Sequence, residues 1–446
     1  MKALEKKVMK VNLTRRELLR MGAIGMAALP FGGLTAACQT GPKILPKPDG
    51  APYQGSDEQL LDEIEKASFE FFWNEASPKT GQVKDRALAN GGDTRRMSSI
   101  AATGFGLTAM CIADMRGYRP AKEIAERVRT TLRFLATDLE NVHGFYYHFI
   151  DIETGARWEK VELSSIDTSL LLCGVLTARQ HFADQEIKDL ATKIYNRVDW
   201  PWMQNGGKTL SMGWNPEKGF LNARWEVFCE LMMIYLLGVG STTHPLSADT
   251  WDAWTRPKIN YEGIEYISGN DPLFTHQYSH AWYDFRKKRD KYTNYFENSV
   301  KATKAHKLFC LSLHDRFPSY SDDLWGISAS DYEGGYTAWG GPPAQGPIDG
   351  SIVPNATAGS LPFLFEDCIK VQRTIRGQYG KKAWTKYSFV DAFNPLDGWY
   401  GKDVLGIDLG ISLLMAENHR TGFVWETFMK NPEAKAAMEK VGFKPE

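Results

Sequence analysis

The chain has 446 residues, 43% of them hydrophobic, with 14 tryptophans and a formal net charge of −1. That length and apolar content allow a full-sized core, in one large domain or in two or three smaller ones. The near-zero charge excludes an electrostatic case for nucleic acid or an anionic membrane surface as partner. The basic run at 286–289 (RKKR) is flanked by Asp284 and Asp290 and reads as a solvated face. The six cysteines (Cys38, Cys111, Cys173, Cys229, Cys310 and Cys368) form no CxxC or CxxxC pair, which argues against metal, redox and disulfide-scaffold classes.

The N-terminus reads as an address. Residues 14–20 (TRRELLR) match a twin-arginine export signal, and a mild apolar segment follows at 21–37 (MGAIGMAALPFGGLTAA). A basic start, a modest apolar run and small residues before the cut define an export peptide, not a spanning helix. Cys38 after Thr35-Ala36-Ala37 resembles a bacterial lipobox, so a lipid anchor there is the one expected membrane contact. Residues 39–55 read as a flexible tether, and 56–446 as a single domain without an internal linker.

Ser56-Asp57-Glu58 opens a helix running to about 75, with Leu60, Leu61, Ile64, Phe71 and Phe72 at helical spacing. Two kinds of helix then alternate. Segments 99–113, 164–178, 226–240 and 406–416 are apolar or small nearly all round, whereas 121–137, 184–198 and 366–380 are charged on one face. Helices apolar on every side are buried, and one-striped helices face solvent. The expected fold is therefore all-α, an (α/α)6 toroid of two concentric rings with a few short β-hairpins on the rim, such as 206–220. Apolar runs of this length are too short to span a membrane.

In such a toroid, polar residues just before the inner helices point into the funnel. Segment 148–168 supplies Asp151, Glu162 and Asp167; Asp167 is also placed to cap its helix. Segment 214–230 supplies Trp214, Arg224 and Glu230. The last is a carboxylate among Phe228, Leu231 and Met232, a setting that suits a general acid. His244 follows in 241–245, and His276 and His280 stand four apart, a spacing that could serve a metal but lacks a matching third ligand. Asp408 precedes the last inner helix and Trp399 lies just upstream.

The stretch 322–361 holds eight glycines, seven of them from Gly326 to Gly350, and four prolines beside Trp325, Asp331, Tyr332, Tyr336 and Trp339. It reads as a long ordered loop, neither helix nor strand, whose aromatic faces suit sugar rings. No GxSxG elbow, P-loop or dinucleotide fingerprint occurs, so no cofactor or metal is expected. Many carboxylates, many aromatics and an export signal point to polysaccharide hydrolysis, which needs a carboxylic acid and a base.

WGISASDYEGGYTAWGGPPAQGPIDGSIVPNATAGSLPF and GWYGKDVLGIDLGISLLMAENHRTG resemble the glucoamylase-like domain of bacterial endo-β-1,2-glucanases, glycoside hydrolase family 144. So do ELSSIDTSLLLCGVL, ELMMIYLLGVGSTTHP and HQYSHAWYDFR, so that the likeness spans about 58–443. The resemblance implies an (α/α)6 barrel without metal or cofactor that cleaves β-1,2-glucan with anomeric inversion to sophorose or short sophorooligosaccharides. It implies Glu230 as general acid, Glu162 in the cleft, and Asp408 as base, with Asp151 and Asp167 behind it. Exo action, transglycosylation and a non-catalytic, lipid-anchored glucan-binding protein are the competing readings.

Overall fold

The computed structural model describes residues 48–269 and 272–446; the export segment and Cys38 lie outside them. The chain alternates between outer and inner elements. Outer helices are α1 (Asp57–Asn74), α3 (Ala121–Arg133), α5 (Gln185–Asn196), α7 (Tyr295–Ser312) and α9 (Phe365–Gln378). Inner helices are α2 (Ile100–Arg116), α4 (Ser165–His181), α6 (Met232–Gly240), α8 (Pro354–Ala358) and α10 (Gly406–Arg420). A short 3-10 turn at Ala248–Asp252 takes the remaining outer place, and a pair of turns, Leu273–His276 and Tyr278–Ala281, the remaining inner one. Six outer and six inner elements make the (α/α)6 toroid.

The two rings differ as their sequences require. α2 is buried from Ile100 to Ala113 and α4 from Ser165 to Arg179, whereas α3 buries only Ile124, Val128, Thr131 and Leu132. α1 begins at a capping box, with Ser56 and Gln59 satisfying each other's backbone N–H groups. α2 and α4 touch backbone to backbone: a Cβ on Gly174 would collide with the Gly104 carbonyl, and one on Gly104 with the carbonyl of Leu170. Phe105 of α2 packs in the core against Tyr278 and Trp282, whose ring centroids lie 5.7 and 4.9 Å from its own. The Trp282 indole also donates to Thr108 Oγ1 at 3.0 Å.

Three expectations change. The helix expected from 226 starts at Met232, because the preceding backbone is tied sideways: Phe228 N donates to the Thr255 carbonyl and Thr255 N to that of Glu226. The stretch 322–361 is not a featureless loop; it contains an antiparallel hairpin, Ser330–Tyr332 with Gly335–Thr337, and the inner helix α8. His276 and His280 fall in two successive 3-10 turns, not on one α-helical face. No helix among the described residues is long and apolar enough to cross a membrane.

Candidate active site

The long inner helices are entered from short strands that pair with one another. Met97–Ser99, leading into α2, pairs with Phe149–Asp151. Leu163–Ser164, leading into α4, pairs with Gly213–Asn215, which pairs onward with Gly219–Phe220. Asp403–Leu405, leading into α10, pairs with Arg86–Leu88. This collar gathers the N-terminal ends of the inner helices at one rim, where exposed backbone N–H groups favour acidic side chains.

Glu230 occupies the turn immediately before α6 and is 5% exposed. Its carbonyl accepts from Ser279 Oγ at 2.8 Å, and that hydroxyl oxygen in turn accepts from Met233 N at 3.1 Å. The neighbouring Tyr278 reaches the other way, its hydroxyl 3.4 Å from Asp408 Oδ1. One inner turn thus touches both the Glu230 and the Asp408 segments, on the same rim.

Asp408 lies in the first turn of α10, 6% exposed, after an N-cap residue, Leu405, that makes no side-chain cap. It faces Asp391, which the sequence reading passed over. Asp391 Oδ2 accepts from Asp331 N at 2.6 Å, and Asp391 and Asp408 line the same small buried cavity. Burial first, then the Asp408 and Asp331 charges, push the Asp391 carboxyl well above the usual range. Asp331 binds Arg86 through both oxygens, at 3.0 and 3.2 Å. Burial nonetheless raises its carboxyl, with Arg86 opposing and Asp403 adding to the rise. Arg86 is also 3.1 Å from Asp85 and 4.0 Å from Asp403, and Arg95 holds Asp403 through two contacts of 2.7 Å.

A second acidic group stands at the entrance to α4. His148 lies between Glu162 and Asp167, its Nδ1 3.5 Å from the first and its Nε2 3.4 Å from the second. The imidazole stacks on Phe149 at 3.8 Å. Ser164 caps α4 by accepting from Asp167 N at 3.0 Å, and its hydroxyl is bonded to the Asp167 carboxylate. Asp167 therefore reinforces the cap and flanks His148 with the same carboxylate.

Several expected site residues are placed elsewhere. Asp151 is a turn former: one oxygen takes the Glu153 and Thr154 N–H groups, the Thr154 hydroxyl and Arg96. Partial burial raises its carboxyl, but Arg96 and Thr154 outweigh this and hold it below the usual range. Arg224 is spent on the Thr209 hydroxyl and the Gln204 and Thr209 carbonyls. His244 follows the C-terminus of α6, at the opposite rim. His280 is 1% exposed among Phe285, Phe296 and Phe363 and pairs with Ser299 at 3.1 Å; burial, then His276, lowers it to about 3. Trp325 and Trp339 are both 0% exposed, the latter donating to Ser330 Oγ, so neither ring can stack on a sugar. Tyr332, Tyr336, Trp214 and Trp399 remain half-buried on the collar, Tyr336 beside Arg86.

The residues that sequence reasoning missed are His148, Tyr278, Arg86 and Asp391. Asp391 carried a usable signal, a carboxylate set in the apolar run Phe389-Val390-Asp391-Ala392-Phe393, the same signal that singled out Glu230.

The Glycoamylase family model matches residues 222–432, which include Glu230, Asp331, Asp391 and Asp408. An exo β-1,2-glucooligosaccharide sophorohydrolase (non-reducing end) from Parabacteroides distasonis is 28% identical over 428 residues, 87% of this chain. An endo-β-1,2-glucanase from Chitinophaga pinensis, solved with sophorotriose and glucose, superposes with a TM-score of 0.80 at 26% identity. The match covers 88% of this chain and 99% of that one. Over most of its length the chain is similar to the glucoamylase-like β-1,2-glucanases, the group of glycoside hydrolase family 144. A β-1,2-glucanase from Parabacteroides distasonis gives a TM-score of 0.80 at 27% identity, covering 87% of this chain and 60% of that one. The chain spans 58% of the length of the curated sophorohydrolase.

Proposed function

We propose that the protein hydrolyses β-1,2-glucan to sophorose and short sophorooligosaccharides, with Glu230 as general acid and Asp408 as base. The observation that carries the proposal is the presence of two buried carboxylates, Glu230 and Asp408, at the N-terminal ends of inner helices on one rim. They sit on a fold shared with relatives that act on β-1,2-linked glucans. Glu230 protonates the departing glycosidic oxygen, while Asp408 takes the proton of the attacking water, giving inversion at the anomeric carbon. His148, with Glu162 and Asp167, supplies polar contacts to sugar hydroxyls, and Tyr332, Tyr336, Trp214 and Trp399 offer ring faces. The decisive assay incubates purified protein with linear β-1,2-glucan and with β-1,3- and β-1,4-glucans and follows the released sugars. Release from the β-1,2-glucan alone is expected; no release from any of them defeats the proposal and leaves a glucan-binding protein.

Exo action is the second reading, favoured by the named activity of the Parabacteroides relative. Product time courses separate the two: an endo enzyme yields a ladder before sophorose, an exo enzyme sophorose from the start. Transglycosylation would instead lengthen oligosaccharides supplied as acceptors. We further propose export by the twin-arginine route and lipid attachment at Cys38, supported by the TRRELLR segment and the small residues before that cysteine. Replacement of Arg15 and Arg16 by Lys is expected to retain the protein in the cytoplasm, and Cys38→Ser to abolish labelling by a radioactive fatty acid.

A further inference from the structure

Asp391 is 4% exposed and lies outside every element of the barrel, in the segment before the Phe393–Asn394 hairpin strand. One of its oxygens takes the Asp331 N–H. No N–H or O–H of the described residues donates to the other oxygen, Oδ1, and Asp391 and Asp408 are buried together against one small cavity. Two carboxyl groups can share a hydrogen bond only if one of them carries the proton. The groups facing the pair settle which one does. Asp331 stands on the Asp391 side, and Arg86, which offsets it, is itself engaged by Asp85 and Asp403. Asp408 has the first turn of α10 beneath it and the Tyr278 hydroxyl beside it, both of which favour the anion. A cavity of ≈ 20 Å³, room for a single water, lies beside the pair between Asn355, Ser388 and Ser412.

We propose that Asp391 is the positioning residue for Asp408: a neutral carboxylic acid whose O–H donates to the Asp408 carboxylate, orients it, and keeps it ionised for the water it activates. Asp391 keeps its proton throughout the cycle. Asp408 receives a proton from water and returns it to solvent. The catalytic part of this rests on Asp408 being the base. The shared proton does not, and its test stands apart from turnover.

The first experiment is infrared difference spectroscopy of the full chain near neutral pH, comparing the unsubstituted protein with Asp391→Asn. A protonated-carboxyl band lost in the variant is expected; a difference spectrum without one overturns the shared proton. The second compares pH profiles. Asp391→Asn keeps a donor toward Asp408 and is expected to retain kcat within about tenfold, with the acid limb of kcat/KM moved upward. Asp391→Leu removes the donor and is expected to lower kcat by about 100-fold at unchanged KM. An acid limb that stays in place in both variants, with folding intact, makes Asp391 merely structural and defeats the proposal. Should the infrared band behave as expected while Asp408→Asn retains turnover, the base assignment fails and the shared proton survives.

Discussion

Removing the positive charge at the centre of the acidic collar is the perturbation whose consequences can be worked out furthest. Arg86→Met keeps the apolar stem but deletes a guanidinium bonded to Asp331, 3.1 Å from Asp85 and 4.0 Å from Asp403. Opposite unit charges about 4 Å apart are worth ~4 kcal/mol at an effective dielectric of about 20, before desolvation is subtracted. Breaking such a partly enclosed pair by deleting one partner typically costs about 3–5 kcal/mol. The Arg86 side chain is 24% and the Asp331 side chain 16% exposed, which puts the expected loss at the lower end. About 3 kcal/mol of unfolding free energy near neutral pH is therefore the expected deficit.

The pH dependence has a definite sign. Asp331 already titrates above the ordinary carboxylate range, burial raising it and Arg86 pulling it back. Without Arg86 it moves further up. Between the unfolded and folded pKa values the folded chain then holds the extra proton, so stability falls as pH rises through that interval. Urea unfolding of both proteins at about pH 5 and about pH 7.5 is the assay, read through the linear dependence of stability on denaturant. The deficit of Arg86→Met is expected to be larger at the higher pH. An equal midpoint at neutral pH, or a deficit that grows on acidification, would refute the reasoning.

Four further outcomes are expected. Gly174→Ala gains about 1 kcal/mol in helix propensity, but its methyl group meets the Gly104 carbonyl in an interface that cannot give way. Over-packing of about 1–3 kcal/mol should win, so the variant is expected to melt lower than the parent in calorimetry. Trp339→Ala removes a fully buried ring and should cost about 3–5 kcal/mol in stability, while KM for glucan in the folded protein stays unchanged. Tyr336→Ala on the collar should do the reverse, raising KM with little change in melting temperature. His148→Asn separates Glu162 from Asp167 and is expected to lower kcat/KM without shifting the pH at which Glu230 titrates, as a pH–rate profile would show.

How far the sequence foretold this structure depended on local signal. α2, α4 and α10 announced themselves because they are apolar on all sides over three turns or more, and a helix of that kind has nowhere to go but the inner ring. The inner elements at 273–281 and 354–358 were not visible as such. The first is two 3-10 turns carrying buried histidines, and the second is a five-residue helix opened by Pro354 and followed by Gly359. Neither is long enough to show a period.

The carboxylates could be singled out by their apolar neighbours, but their partners could not. Asp391 reaches Asp408 only because the collar brings residues 331, 391 and 408 together, and Arg86 arrives from the other end of the chain. The tryptophans of 322–361 failed as sugar platforms for a related reason. Composition shows that an aromatic is present, whereas burial depends on tertiary contacts: Trp339 packs on Tyr332 and donates to Ser330 of the hairpin, and Trp325 lies beside His306.

The central claim is that Glu230 delivers the proton to the glycosidic oxygen. Glu230→Gln keeps the size and hydrogen-bonding shape of the side chain and removes only its acidity. With linear β-1,2-glucan as substrate and proton NMR as readout, the parent should release products of inverted anomeric configuration. The variant should turn over about 10²–10⁴-fold more slowly at an unchanged melting temperature. Turnover within a few-fold of the parent would contradict the assignment.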